Sequence, residues 1–135
     1  IDGDIFRKKA KNTEIFTKKN IRNNNLKIID HIFKFKNKYD FAIVSVISPL
    51  SDTRARARRI FKKNYFEITV QCSLRELIKR DTKGLYKLAK ENKMKNLIGY
   101  KSKILYEKSK YKTLKINTNK LTKTNAIKKI LKIIL

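Results

Sequence analysis

Two carboxylates near the first residue are the groups with the clearest potential for chemistry in this sequence. They lie in Asp2-Gly3-Asp4, which has the pattern of a strand end with a flexible glycine between the acids. Ile47-Ser48-Pro49 ends another apolar run, the basic stretch from Arg80 to Lys87 leaves a predicted helix, and the lysine-rich stretch 94–112 follows it. Ligands of parallel α/β sheets bind beyond the carboxyl ends of the strands. The sequence therefore predicts a ligand site to which these four segments contribute.

The single histidine and the single cysteine have patterns typical of structural residues. His31 lies at the edge of a predicted amphipathic helix and has no partner at metal-ligand spacing. Cys72 ends a predicted strand, where we expect it to be a small buried apolar residue. One cysteine also excludes an internal disulfide and a zinc site built from cysteines. Neither residue is therefore expected to take part in function.

The elements that must position these residues begin with two helices and an apolar strand. Apolar side chains recur at helical spacing over residues 20–36, where one face is predicted to contain Ile21, Ile28, Ile29, Ile32, Phe33 and Phe35. The run 41–47 is nearly continuous in apolar residues, which is the pattern of a strand buried on both faces of a parallel sheet. A second helix is predicted to begin at a capping residue, Ser51 or Asp52, and to end near Lys63.

The second half of the chain continues this alternation. Ser73 and Glu76 form a capping-box pattern that starts a helix directly after a β-branched and aromatic run. In order, the predicted elements are a strand at 65–72, a helix to Arg80, a helix at 83–93, a mobile loop at 94–112, a strand at 114–117 and a final amphipathic helix capped by Thr122 or Thr124. Alternating helices and strands predict an α/β fold with a parallel sheet and helices on both faces.

Length and composition set the class of protein. The chain has 135 residues, which predicts one domain spanning 1–135, and 41% of them are hydrophobic, which argues against disorder. Its apolar runs are far shorter than the ~20 residues that span a bilayer. No secretory leader opens the chain. We therefore expect a soluble, cytoplasmic protein without a membrane partner.

The charge is strongly positive, with 36 Lys and Arg against 11 Asp and Glu and a formal net charge of +25. Such a balance is typical of proteins that bind polyanions. The abundance of Lys, Asn and Ile, which share A/T-rich codons, offers a second explanation in compositional drift. The arginine-dense run Arg54–Arg59 has the same two interpretations, a nucleic-acid-binding arm or the solvated face of an outer helix. We favour the solvated face and expect nucleic acid not to be the partner.

A set of motifs also runs in one order along the whole chain. The motifs are Asp2-Gly3-Asp4, Arg22-Asn23-Asn24-Asn25, Ile47-Ser48-Pro49, the helix start Arg54–Arg58, Arg80-Asp81-Thr82-Lys83-Gly84-Leu85-Tyr86-Lys87 with Ala89, and the closing helix at 123–135. Together they resemble the adenylylsulfate kinases, small P-loop kinases that transfer the γ-phosphate of ATP to the 3′-hydroxyl of adenylyl sulfate in sulfate assimilation. Lys83-Gly84-Leu85-Tyr86-Lys87 after Arg80-Asp81 is the most specific piece.

The resemblance implies catalytic roles for Asp2, Asp4 and Ser48. Phosphoryl transfer depends mostly on positioning and charge neutralisation. The two aspartates would lie where the acceptor hydroxyl, the γ-phosphate and Mg²⁺ meet, with Asp4 reaching the metal through water and no residue binding it directly. The alternative is that one of them caps the following helix. Ser48 matches a serine described as a phosphoserine intermediate, although binding of the acceptor through Ile47 and Ser48 is the safer interpretation.

The resemblance also implies a set of binding residues for ATP and adenylyl sulfate. Arg7, Arg22 and Asn25 match positions that hold the acceptor nucleotide, a task that suits the guanidinium fork. Phe16 matches an aromatic residue near the adenine. Arg80 and Lys83 would belong to a lid over both nucleotides, at about residues 80–112. The alternative for Arg80 and Lys83 is that they lie at the C-terminus of a helix, where positive charge is favourable, and have no role in binding. A homodimer is left open.

Two departures from the family pattern bear on activity. The sequence contains no G-x-x-x-x-G-K-[ST], the loop that cradles ATP phosphates. We therefore expect a P-loop-kinase-like domain that is incomplete at its N-terminus, lacking the first strand, the P-loop and the first helix, and inactive if the chain is whole. Ile5 and the segment Leu105-Tyr106-Glu107 also depart from the family. They leave open another nucleotide-linked acceptor, for example in surface-polysaccharide modification. The net charge and the run Arg54–Arg59 leave open a different class, a catalytically dead nucleic-acid-binding module.

Overall fold

Helices alternate with short extended segments along the computed structural model, which describes residues 1–9 and 16–135. Its elements are α1 (Gly3–Lys9), α2 (Lys18–Phe35), a 3₁₀ turn (Lys36–Lys38), α3 (Ser51–Phe61), a 3₁₀ turn (Lys62–Asn64), β1 (Ile68–Gln71), α4 (Leu74–Arg80), α5 (Leu85–Lys90), β2 (Leu114–Asn117) and α6 (Lys123–Ile134). The predicted order of helices and strands is confirmed from α2 onward, apart from the apolar run 41–47. In the described part of the chain, no helix is both long and apolar enough to cross a membrane.

The helix α2 begins at Thr17, whose hydroxyl accepts a hydrogen bond from the Asn20 backbone N–H at 3.1 Å. It packs against α3. Its buried face contains the predicted isoleucines at positions 21, 28 and 29, together with Asn24 and Asn25. Phe33, which was predicted on this face, is instead 49% exposed. The apolar face is therefore narrower than its periodicity indicates, and it contains two amides.

Parallel pairing occurs at two places. β1 and β2 form a parallel two-stranded sheet in the described residues, with Ile68 opposite Leu114. Ahead of it, Asp2 forms a parallel bridge with Ser45. Three backbone hydrogen bonds hold that bridge: Gly3 N–H donates to Ser45 O at 2.8 Å, Ser45 N–H donates to Ile1 O at 2.9 Å, and the Ile1 amino group donates to Ile43 O at 2.6 Å. Parallel pairs joined by helices confirm the α/β prediction.

The prediction of a strand buried on both faces at 41–47 is wrong. The segment is extended, but it pairs only through the bridge at Ser45, and Phe41 and Ile43 are 55% and 79% exposed. The physical reason is the lack of cover: both side chains line an open cleft of about 650 Å³ together with Phe33 and Tyr39. Apolar composition indicated the extended backbone correctly and the burial incorrectly.

The capping groups predicted for three helices have different outcomes in the structure: those of α3 are wrong, that of α4 is confirmed in part and that of α6 is confirmed. Ser51 and Asp52 do not cap α3, because the residue before the helix is Leu50 and the carboxylate of Glu107 accepts from the Ser51 N–H instead. The Ser73 hydroxyl accepts from Glu76 N–H at 3.4 Å, which confirms one half of the capping box. The other half is wrong, because Ser73 N–H donates to Asn119. Thr122 caps α6 as predicted, accepting from Asn125 N–H.

Candidate functional site

Asp2-Gly3-Asp4 and Ile47-Ser48-Pro49 lie at one edge of the parallel pairing. The bridge between Asp2 and Ser45 runs parallel, so the residues that follow each partner leave in the same direction. Gly3 allows this approach, because a Cβ at that position would stand 2.7 Å from the Cγ2 of Val46. The carboxyl ends of parallel strands are where ligands of such sheets bind. The structure therefore brings two of the predicted site segments together.

Asp2 has a structural task at this edge. Its Oδ1 accepts hydrogen bonds from the backbone N–H groups of Asp4 at 2.8 Å and Ile5 at 3.1 Å, which places it as the cap of α1. These two bonds hold the pKa of the Asp2 carboxyl below its usual value, with Ile5 the larger contributor. Asp2 therefore stays ionised and fixes the backbone that carries Asp4.

Two of the predicted site residues contact Asp4, and a third contacts one of these two. Arg7, one turn along α1, donates to Asp4 Oδ1, and Lys83 donates to Oδ2. The guanidinium of Arg7 also lies over the ring of Phe16, 4.8 Å from its centroid. The hydrogen bond and charge of Asp4 raise the pKa of the Lys83 ammonium. A carboxylate, two cations and an aromatic ring thus meet beside the strand end.

The motif around Lys83 folds as a turn that presents this lysine. Asp81 accepts from the N–H groups of Tyr86 at 3.1 Å and Lys87 at 3.0 Å and so caps α5. Gly84 adopts the left-handed conformation, with φ at +65°, that a glycine tolerates without strain. The turn of Asp81 and Gly84 therefore places Lys83 against α1.

Arg80 lies at a different place from Lys83. Its Nε donates to Glu76 at 3.0 Å, and its Nη2 donates to the carbonyl of Thr118, directly after β2, at 3.0 Å. Arg80 is thus held on α4 and at the end of β2, and these hydrogen bonds go to Glu76 and Thr118 rather than to the group around Asp4. The structure does not join the two predicted lid cations in one cluster.

Ser48 is held by polar side chains from two helices. Asn25 Nδ2 donates to Ser48 Oγ at 3.0 Å, and the hydroxyls of Ser48 and Thr53 are 3.2 Å apart. Arg22, one turn before Asn25, donates to Asp52 at the start of α3. Neighbouring Ile47 is 56% exposed. The predicted acceptor residues Arg22, Asn25 and Ser48 therefore form a second group where α2 meets α3.

The comparisons with known proteins can be set beside this geometry. The sequence model of the family described as "Adenylylsulphate kinase" matches residues 1–117. The chain belongs to the adenylylsulfate kinase family. Curated adenylyl-sulfate kinases include those of Clostridium acetobutylicum, 30% identical over 97% of this chain and 64% of the relative, and Saccharomyces cerevisiae, 34% identical over 90% of this chain and 61% of the relative.

A solved structure of the family shares this fold. The Mycobacterium tuberculosis APS kinase CysC, solved in complex with AMPPNP and APS, aligns with 96% of this chain and 76% of its own, with a TM-score of 0.78 and 23% sequence identity. The P-loop-kinase-like α/β fold is thereby confirmed. The chain spans about two thirds of the length of the curated relatives it matches, 64% in the Clostridium acetobutylicum kinase.

Mg²⁺, which the family resemblance implies, can be tested against the donors present. Among residues 1–9 and 16–135, no three His, Cys, Asp or Glu side chains are placed to hold a metal ion together. Mg²⁺ bound to nucleotides keeps several waters and takes one or two carboxylates together with substrate phosphates. Asp4, whose carboxylate contacts Arg7 and Lys83, is the residue at this strand end that would meet such an ion through water, and the described residues do not form a metal cage of their own.

Several residues that organise the site were missed by sequence reasoning. Arg54 was assigned to a solvated face, but its side chain is 5% exposed and its Nε forms an ion pair with Glu67 Oε1 at 3.1 Å. Its guanidinium also donates to the carbonyls of Ser48 and Glu107. Helical spacing places Arg54 on the same face as buried Ala57, which was the available signal. A charged residue on the apolar face of a helix indicates a buried partner.

The histidine and cysteine predictions have different outcomes. His31 packs against aromatic rings, with centroids 5.8 Å from Phe6 and 4.8 Å from Phe35, which supports a structural role. Cys72 is only partly buried, and its thiol donates to Asn119 Oδ1 at 3.0 Å. The prediction of a buried apolar cysteine is therefore wrong, because the turn after β2 brings an amide acceptor to it.

Proposed function

We propose that this chain supplies the acceptor-binding part of an adenylylsulfate kinase, which transfers the γ-phosphate of ATP to the 3′-hydroxyl of adenylyl sulfate. The observation that supports this most is the meeting of Asp4, Arg7, Phe16 and Lys83 beside a strand end. Asp4 and Lys83 come from two separate motifs of the family, and Arg7 and Phe16 match single positions of it. A carboxylate, an aromatic plane and two cations are the groups that a nucleotide with an acidic tail requires.

Each residue then has a distinct task in the proposed reaction. Asp4 accepts a hydrogen bond from the acceptor hydroxyl and orients it, while Phe16, with Arg7 stacked on it, offers a flat surface to the adenine. Lys83 is ionised and pairs with an anionic group of the nucleotide. When bound, Mg²⁺ supplies charge neutralisation on the transferring phosphates. Residues 80–112 act as the lid that excludes water.

Ser48 serves as a binding group in this proposal. Its hydroxyl has an amide from Asn25 and the hydroxyl of Thr53 as neighbours. Neither is a base that could remove the hydroxyl proton, and direct transfer between nucleotides requires no phosphoserine. Arg22 and Asn25 approach the same acceptor from α2. Arg22 releases Asp52 to bind it, since their ion pair is exposed and therefore weak.

Binding of adenylyl sulfate to the chain tests the proposal, measured by isothermal titration calorimetry against ATP, GTP and adenosine 5′-phosphate. We expect adenylyl sulfate to bind most tightly, and ATP to bind weakly because the sequence has no phosphate-cradling loop motif. Preference for a different nucleotide would assign another acceptor. Absence of binding by any nucleotide would contradict the proposal.

The variant Lys83→Met identifies the site at which the ligand binds. Loss of a charge-assisted bond predicts roughly tenfold weaker binding of adenylyl sulfate. The matched control is Lys128→Met, because Lys128 is exposed on α6, a helix that supplies none of the proposed binding residues. Equal affinities of the two variants would place the ligand elsewhere.

A further inference from the structure

Glu107 lies in the stretch 94–112, far along the chain from α3, yet it is bonded to the start of that helix. Its Oε2 accepts from the Ser51 N–H and from the Ser51 hydroxyl, both at 2.7 Å. Its backbone N–H donates to the carbonyl of Pro49 at 2.8 Å. Lys18 Nζ, at the start of α2, stands 3.7 Å from the other carboxylate oxygen. Side chain and backbone together therefore fasten Glu107 to residues 49–51.

Arg54 strengthens the same junction from inside. One guanidinium nitrogen donates to the carbonyl of Ser48, and another donates to the carbonyl of Glu107. The ring of Tyr106 covers the guanidinium, with 5.0 Å between Cζ and the ring centroid. Because Arg54 is buried and also paired with Glu67, it has little freedom to release either carbonyl. The Ser48 carbonyl and the Glu107 carbonyl are thus held at a fixed separation.

We propose that Glu107 is a positioning residue that couples the stretch 94–112 to the acceptor-binding group around Ser48. This proposal rests on the proposed function of that group. A displacement of Glu107 moves the Pro49 carbonyl and the Ser51 N–H, and both residues lie within three positions after Ser48. Ser48 then loses its alignment with Asn25. Closure of the stretch over a bound nucleotide and alignment of Ser48 are therefore one event.

A carboxylate suits this task better than another side chain of similar size. The start of a helix carries exposed N–H groups and partial positive charge, both of which favour an anion. Ser51 supplies two donors at once and Lys18 supplies a nearby cation. Those contacts hold the pKa of Glu107 below its usual value, with the Ser51 backbone bond first among the causes. The residue is therefore ionised wherever the contact exists.

The test compares Glu107→Gln and Glu107→Ala with the control Asp30→Asn, an exposed carboxylate on α2 that pairs with Arg56 outside the stretch 80–112. Glutamine keeps an oxygen acceptor and loses the charge, whereas alanine loses both. We expect adenylyl sulfate affinity to fall about threefold in the first variant and about tenfold in the second, with the control unchanged. Calorimetry is performed far below each melting temperature, so that every variant is folded.

Hydrogen exchange on the ligand-free chain provides the second readout. We expect Glu107→Ala to raise exchange at residues 48–53 and 104–108 together. Ser51→Ala removes one of the two donors, and adding it to Glu107→Ala should cause no further loss of affinity, since both changes break one contact. A lower melting temperature with affinity within twofold of the wild type would make Glu107 a stabilising residue only and overturn the proposal.

The two hypotheses fail in different ways. A wild-type chain that binds no adenylyl sulfate overturns the proposed function, whatever the exchange data show. A wild-type chain that binds, beside a Glu107→Ala variant with unchanged affinity and unchanged exchange at 48–53, overturns only the positioning role. Coupled exchange with weakened binding supports both.

Discussion

Arg54 carries a positive charge into the interior beside α3. Its side chain is 5% exposed and that of its partner Glu67 is 7% exposed, so neither charge has water as a substitute partner. A buried pair of this kind contributes little relative to an apolar pair, but breaking it by removing one charge is costly. Loss of Glu67 would therefore leave the buried positive charge of Arg54 without a counter-charge.

The variant Glu67→Gln tests how strongly the stability of the fold depends on the pair of Arg54 and Glu67. The change leaves Arg54 buried without a counter-charge, and we expect the free energy of unfolding to fall by about 3 kcal/mol. Urea denaturation followed by circular dichroism measures it. Glu91→Gln, at an exposed pair, should change stability by less than about 0.5 kcal/mol. Equal stability of the two variants would show that Arg54 is not held by Glu67.

The stability that Glu107 contributes should depend on pH. Bonds from Ser51 lower its pKa in the folded state from an ordinary value of 4.5. A lowered pKa means that the stabilisation is complete above pH 4.5 and is lost as pH falls through the folded-state value. Below pH 4.5, wild type should therefore lose more stability than Glu107→Gln, as measured by thermal unfolding across pH. Parallel curves for the two proteins would contradict this.

At the scale of elements, one contact joins α1 to the extended segment 41–47. Gly3 begins α1 and simultaneously bridges to Ser45, with its α-carbon against Val46. That contact brings the carboxylate of Asp4 and the loop of Ser48 to one edge. The arrangement of the site thus depends on a residue that has no side chain.

Gly3→Ala tests this junction. The added Cβ would stand 2.7 Å from Val46 Cγ2 and 3.3 Å from the carbonyl of Ser45, so the segments must separate. We expect a loss of about 1–3 kcal/mol in unfolding free energy. Ile5→Ala, at a residue that is 57% exposed, is the comparison and should have a smaller effect. A Gly3→Ala protein as stable as the wild type would show that α1 and 41–47 are not in close contact.

The elements also show which features a sequence can predict. Helices α2, α3 and α6 were predictable because apolar spacing acts within a few positions, and the cap of α6 by Thr122 is equally local. The turn of Asp81 and Gly84 lies within the family motif Arg80–Lys87, which the sequence shows directly. The exposure of Ile43 and the contacts of Glu107 were not predictable, since both depend on what meets them in space. Ser51 and Glu107 are 56 positions apart, and no local pattern connects them.

The whole molecule carries a net charge of +25, which has two explanations. The structure turns two members of the arginine run inward: Arg54 is buried, and Arg58 lies over the rings of Tyr65 and Tyr111 at 5.2 and 4.5 Å. A nucleic-acid-binding arm would present these guanidinium groups to phosphates. Arg54 and Arg58 are therefore not presented as such an arm would present them.

Salt dependence of RNA binding distinguishes the two explanations. We expect a single-stranded RNA to bind weakly and to dissociate between about 50 and 200 mM salt, whereas adenylyl sulfate binding persists. Fluorescence anisotropy with a labelled oligonucleotide measures this. The opposite result, tight RNA binding at physiological salt, would favour a nucleic-acid-binding module.

The most direct test of the account is the position of bound adenylyl sulfate, read from amide chemical shifts of the isotope-labelled chain during titration. The account predicts that shifts concentrate at residues 2–7, 22–25, 47–48 and 81–87, and that Lys83→Met weakens them while Lys128→Met does not. Shifts spread over the lysine-rich surface, or none at saturating ligand, would contradict it.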